Sequence, residues 1–118
     1  MATAADLRRL ALALPGTVER PHFDRRAFRV ARNYATLAAD GLTANLAYTP
    51  DEQALKCTVA PEAFAPVPNA FGTRGWTTVT LAALSPDELA AALEMAWRHA
   101  VPARRGAGRT RSRSRSPE

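Results

Sequence analysis

Three short capping signatures divide this chain and leave few ways to fold it. Ser85-Pro86-Asp87-Glu88 combines a hydroxyl N-cap, a proline at the first helical position and a glutamate able to reach back to the cap. Thr49-Pro50-Asp51-Glu52 repeats that chemistry, and Thr3-Ala4-Ala5-Asp6 is the same box with Asp in place of Glu. The last of these predicts a first helix with Leu7, Leu10, Ala11 and Leu14 on one face, stopped by Pro15-Gly16. The middle signature opens a short helix to about Cys57. The Ser85 signature opens a final helix to about Val101, with Leu89, Leu93, Trp97 and Val101 on one stripe and Pro102 as its stop.

Between these helices the period changes to that of strands. Val18 to His22 reads as a short strand, at an edge because Pro21 cannot donate to a ladder. Ala27 to Ala31, Tyr34 to Ala39 and Thr43 to Tyr48 read as a meander, with Arg32-Asn33 and Asp40-Gly41 as turns. Gly75 to Leu81 is a late strand rich in Trp, Thr and Val, entered by a tight turn over Gly72-Thr73-Arg74-Gly75. Pro61, Pro66 and Pro68 leave little expectation of regular structure between. Helices at both ends and a meander between them predict an α+β fold: a twisted antiparallel sheet covered on one face by the N- and C-terminal helices.

Alternation sorts the two sides of that sheet. Phe28, Val30, Ala35, Leu37, Ala39, Ala44, Leu46, Tyr48, Val79 and Leu81 form the apolar side. Arg29, Ala31, Tyr34, Thr36, Thr43, Asn45, Trp76, Thr78 and Thr80 form the open side. Strict alternation makes Trp76 a stacking platform beside Tyr34 and Arg29, suited to single-stranded nucleic acid or a planar ligand. A bulge after Gly75, or a covering helix turn, would instead bury it.

The 118 residues suffice for one sizeable core, and no apolar run reaches the ~18–20 residues of a membrane span. The net charge of +5 is confined to one end. Ten basic and ten acidic side chains balance from Met1 to Ala103, whereas residues 104–118 hold six arginines against Glu118. Residues 1–103 therefore read as the folded domain and 104–118 as a disordered Arg/Ser-rich tail, since a segment without large apolar residues cannot offset its ordering entropy. Asp6 in the basic stretch and the stop at Pro15-Gly16 argue against a signal peptide. With a single cysteine, Cys57, they point to the cytoplasm.

No catalytic constellation is recognisable. Ser85 is occupied as a cap, Cys57 has no neighbouring histidine and reads as an inert buried side chain, and His22 and His99 lack metal-ligand spacing. An enzyme would need a pocket gathering His22, Asp24 and His99. The expectation is a non-enzyme without cofactor or metal.

Several segments together resemble the MmcQ/YjbR family of small bacterial proteins. They are Leu14-Pro15-Gly16-Thr17-Val18-Glu19, Pro21-His22-Phe23, Phe28-Arg29-Val30, Tyr34-Ala35-Thr36-Leu37, Pro68-Asn69-Ala70-Phe71-Gly72, Arg74-Gly75-Trp76-Thr77-Thr78-Val79 and Ala96-Trp97-Arg98. The resemblance implies a frataxin-like (CyaY-like) sandwich and DNA binding through a double-wing arrangement. Ala47 stands where many relatives carry a basic residue, the Arg/Ser tail lies outside the family pattern, and a first helix with Asp6 alone does not carry frataxin's iron chemistry.

The combined expectation is a DNA-binding protein. Arg25, Arg26, Arg29, Arg32 and Arg74 would contact phosphates, Trp76 and Tyr34 would stack, and Arg109, Arg111, Arg113 and Arg115 would add sequence-independent attraction. The alternative is a small-ligand or protein-interaction module using the open sheet face around Trp76. A continuous basic stripe favours the first, and a charge-poor concavity around Trp76 favours the second.

Overall fold

The computed structural model describes residues 1–102 of the chain. All three capping boxes form, each with the hydroxyl accepting from the third helical N–H and the acidic side chain accepting from the cap N–H. They open α1 (Ala4–Ala13), α2 (Pro50–Val59) and α4 (Pro86–Trp97). The expected tight turn into the late strand forms, Gly75 N–H donating to Gly72 O at 3.0 Å, and a four-residue helix, α3 (Ala70–Thr73), runs into it, with the Asn69 side chain capping it at Phe71 N–H. α4 ends at Trp97, short of Val101. The chain there tightens, His99 N–H donating to Ala96 O and Ala100 N–H to Trp97 O. The last carbonyls turn outward, His99 O accepting from Arg32 and Ala100 O from Ala31 N–H.

The sheet has six strands in the order β1-β2-β3-β4-β6-β5, every neighbouring pair antiparallel. β1 (Val18–His22) is an edge strand, as Pro21 predicted, and β2 (Arg25–Arg29), β3 (Asn33–Leu37) and β4 (Thr43–Ala47) continue the meander. β6 (Trp76–Thr80) pairs with β4 along its whole length. β5 (Phe64–Pro66) forms where prolines left no expectation of regularity. It is three residues long and lies at the other edge, where Pro66 needs no donor on the outer side. β2 begins two residues earlier than alternation implied, because the β1–β2 connection is only Phe23-Asp24.

The core lies between the sheet and its helical cover. Leu7 and Ala11 of α1, and Leu89, Ala92, Leu93 and Ala96 of α4, pack with Phe28, Ala35, Leu46 and Val79. α2 joins this side: Cys57 packs against the core, and Glu52 meets His99 of the α4 terminus at 2.8 Å. Cys57, expected to be buried, is half-buried, and this partial burial pushes its thiol pKa up, favouring the protonated form.

One residue crosses from its expected side. Phe28 opposes Ala35, but Arg29 opposes Asn33, so Tyr34 is an extra residue in β3. The bulge turns its ring into the core, where it is 0% exposed. Its hydroxyl lies 2.9 Å from Thr17 Oγ1 and donates to Ala11 O at 3.3 Å. Tyr34 is therefore no stacking surface. Asn33 takes its place on the open side.

Candidate functional site

The face away from the helices is ordered by register. Arg20, Ala27, Thr36, Asn45, Thr78 and Ala65 stand opposite one another in a single row across all six strands. Thr78 Oγ1 donates to Asn45 Oδ1 at 2.9 Å, which leaves an uncharged, hydrogen-bonding floor. Trp76, opposite Ala47, is half-buried and borders that floor. The backbone before it is tightly determined. Gly75 sits at φ +114°, and any Cβ there would collide with the Tyr48 carbonyl. The Gln53 side chain, reaching from α2, donates to Gly72 O at 3.0 Å and Trp76 O at 2.9 Å.

Above this floor is a groove of about 430 Å³, walled by the β1–β2 turn on one side and the α3 region on the other. Trp76, Asn33, Thr36 and Asn45 line the bottom, with Val67, Asn69 and Phe71 along one wall and His22 to Arg25 along the other. Two exposed aromatics stand at its rim. Phe71 is 55% exposed and Phe23 is 94% exposed. Phe23 has φ +59°, the one residue other than glycine with positive φ among the described residues. A two-residue hairpin loop needs such a conformation, and glycine, asparagine or aspartate normally supplies it. A bulky ring held there costs of order 1–3 kcal/mol and gains almost no burial. The His22 ring meets Phe23 edge-on at 4.9 Å.

The arginines divide among several tasks. Arg25 lines the groove and is clamped to Thr36. Arg20 is exposed in the open-face row, and Arg29, on the same face by alternation, donates to Ala31 O at 3.1 Å. Arg26 points the other way: it meets Glu19 at 2.8 Å, and Glu19 also meets Arg8 of α1 at 3.0 Å. The Arg8 hydrogen bond, opposed by partial burial and helped by Arg26, holds the Glu19 carboxyl below its usual range. Arg32 caps the end of α4 through His99 O, and Arg74 lies over the Phe71 ring at 5.6 Å. No single stripe joins the expected five. Arg20, Arg25 and Arg29 share the open face, Arg26 leaves it, and Arg32 and Arg74 flank Trp76 on its far side. The tail arginines Arg109, Arg111, Arg113 and Arg115, and the domain boundary expected after Ala103, lie outside the described residues.

Phe23, Phe71, Asn33 and Gln53 were not singled out by sequence reasoning. Phe23 did carry a signal: a two-residue hairpin link without Gly or Asn. Among the described residues no cluster of three or more His, Cys, Asp or Glu stands close enough to hold a metal. His22 and Asp24 line the groove whereas His99 lies in a separate cavity, so the three are not gathered into one pocket. No helix among the described residues is long and apolar enough to cross a membrane.

No curated protein matches the chain significantly. Among solved structures it is similar to the Deinococcus radiodurans protein DR2400, which contains the domain DUF419. The two are 26% identical, with a TM-score of 0.69 over 81% of this chain and 76% of that one. The YjbR family model matches residues 12–99, from the end of α1 through the open face to His99, and on that match the chain belongs to the YjbR family.

Proposed function

We propose that this protein is a non-enzymatic, cytoplasmic nucleic-acid-binding module that takes single-stranded DNA on its open sheet face. The observation that carries the reading is Phe23, a fully presented aromatic in a strained conformation at the lip of a groove floored by Trp76. Strain of that kind persists where the ring has a task. Trp76, Phe23 and Phe71 offer stacking surfaces, each worth about 1–3 kcal/mol per base. Asn33, Asn45 and Asn69 line the same groove and offer amides to base edges. Arg20, Arg25 and Arg29 have no carboxylate within salt-bridge distance among the described residues and supply charge for the backbone. A base within the groove must be unpaired, which favours single strands over duplex. The single cysteine, which leaves no internal disulfide, suits a reducing compartment.

Fluorescence anisotropy with a labelled oligothymidine, against a duplex of equal length, tests this. The full-length protein and a chain ending at Ala103 should both prefer the single strand, and Trp76→Ala should weaken binding about tenfold or more. Binding that needs the tail, ignores Trp76 or prefers duplex would remove the open face as the reader.

A second reading has its own support. The groove's volume of about 430 Å³ falls within the range of small-molecule sites. A planar ligand held there would compete with the oligonucleotide for Trp76.

A further inference from the structure

Trp76 has a second side. Where β3, β4 and β6 meet the C-terminal turn of α4, it also lines a cavity of about 280 Å³. Arg32, Arg74 and His99 contribute to the walls, and Tyr34 and Tyr48 lie behind. No Asp or Glu lines it. Arg32 directs two of its nitrogens to the His99 carbonyl, at 2.9 and 2.6 Å, and neither to a carboxylate. Arg74 rests against the Phe71 ring and has no salt-bridge partner among the described residues. The neighbouring acid, Glu52, is already engaged by Thr49 N–H at 2.9 Å and by His99 Nε2 at 2.8 Å.

The indole thus separates two compartments of different charge. Asp24 and Arg25 both line the groove, without a salt bridge between them, whereas the cavity is lined by two permanent cations and no carboxylate. A guanidinium with free donors and no carboxylate is built to take an oxyanion, and phosphate matches its fork. A neutral planar group on one side of an indole and an oxyanion on the other describe a nucleotide unit.

We infer that the Arg32–Arg74 cavity is a phosphate site, occupied by the phosphodiester next to the base that stacks on Trp76. This rests on the single-strand reading for its occupant, but the anion site itself does not. Arg74 is the residue to vary, because Arg32 also closes the end of α4.

The test is an NMR titration of the ¹⁵N-labelled full chain with inorganic phosphate alone, then with oligothymidine. Phosphate should shift the Arg32 and Arg74 Nε–H and the Trp76 indole N–H signals saturably. Arg74→Ala should weaken both phosphate and oligothymidine by about fivefold or more with the remaining spectrum unchanged, and Arg74→Lys should recover part of each. If phosphate leaves those signals unmoved, or Arg74→Ala binds both probes as tightly as the parent, the phosphate site is overturned. If phosphate binds the cavity but oligothymidine does not bind in a Trp76-dependent way, the site stands and the single-strand reading falls. Oligothymidine binding that needs Trp76 and ignores Arg74 would overturn the phosphate site and leave the single-strand reading standing.

Discussion

Arg25 is fastened to Thr36. Its Nε donates to Thr36 Oγ1 at 2.9 Å and its Nη2 to the Thr36 carbonyl at 3.1 Å. Thr36 is buried, 6% exposed, in β3, so this clamp holds the β1–β2 hairpin down along the groove floor. It also fixes where the groove's positive charge sits. Arg25→Ala removes both bonds and leaves the threonine less well satisfied, at a cost of about 1–2 kcal/mol. Arg25→Lys keeps the charge but lacks the planar fork that spans both acceptors. Urea midpoints should fall for both variants, and oligothymidine affinity should fall further for alanine than for lysine.

Phe23 should trade stability against binding. At φ +59° with 94% exposure, the ring is strained and contributes little burial. Phe23→Gly relieves the left-handed penalty, offset in part by glycine's greater entropy when unfolded, for a net gain of about 0.5–1 kcal/mol. The urea midpoint should rise while oligothymidine affinity drops severalfold. A variant that loses stability and keeps affinity would show that Phe23 serves the fold.

Gly75 admits no side chain. Its Cβ would meet the Tyr48 carbonyl, and φ +114° is strained for any other residue. Gly75→Ala should cost about 3 kcal/mol or more and displace Trp76, read as a lower thermal midpoint and a shifted indole emission. Gln53→Ala is the milder companion. It releases Gly72 O and Trp76 O, costs about 1–2 kcal/mol, and leaves the fold intact.

The Arg8–Glu19–Arg26 cluster belongs to the helical side and should report on acid stability instead of binding. Arg8 chiefly, against some burial and with help from Arg26, lowers the Glu19 pKa from its ordinary 4.5. A lowered folded-state pKa contributes stability that is full above the ordinary value and is lost as pH falls through the folded one. Both arginines are about half exposed, so the contribution is about 0–1 kcal/mol. Glu19→Gln should flatten the acid limb of stability against pH below about 4.5. Arg26→Ala should leave oligothymidine affinity nearly unchanged, whereas Arg29→Ala should lower it and reduce the salt slope by about one.

The amino-acid sequence alone determined the local elements of this protein. Ser85, Thr49 and Thr3 each cap a helix through partners three residues away, and Pro21 placed β1 at an edge, because those bonds close within one turn or one strand. The side of the sheet on which Trp76 lies was legible in the same way, from alternation in β6. What alternation could not carry was a change of phase. The bulge that buries Tyr34 arises from a hydroxyl reaching Ala11, 23 residues away, and from a register shift against β2. β5 exists only because β6 offers it an edge, and Arg32, 67 residues distant, claims the His99 carbonyl just past the end of α4. The arginines show the same division. Their positions were evident, but which faced a carboxylate, a carbonyl or open solvent depended on packing between segments far apart in the chain. Tertiary structure therefore decided the candidate site. Its arginine charges are set by long-range partners that no local period encodes.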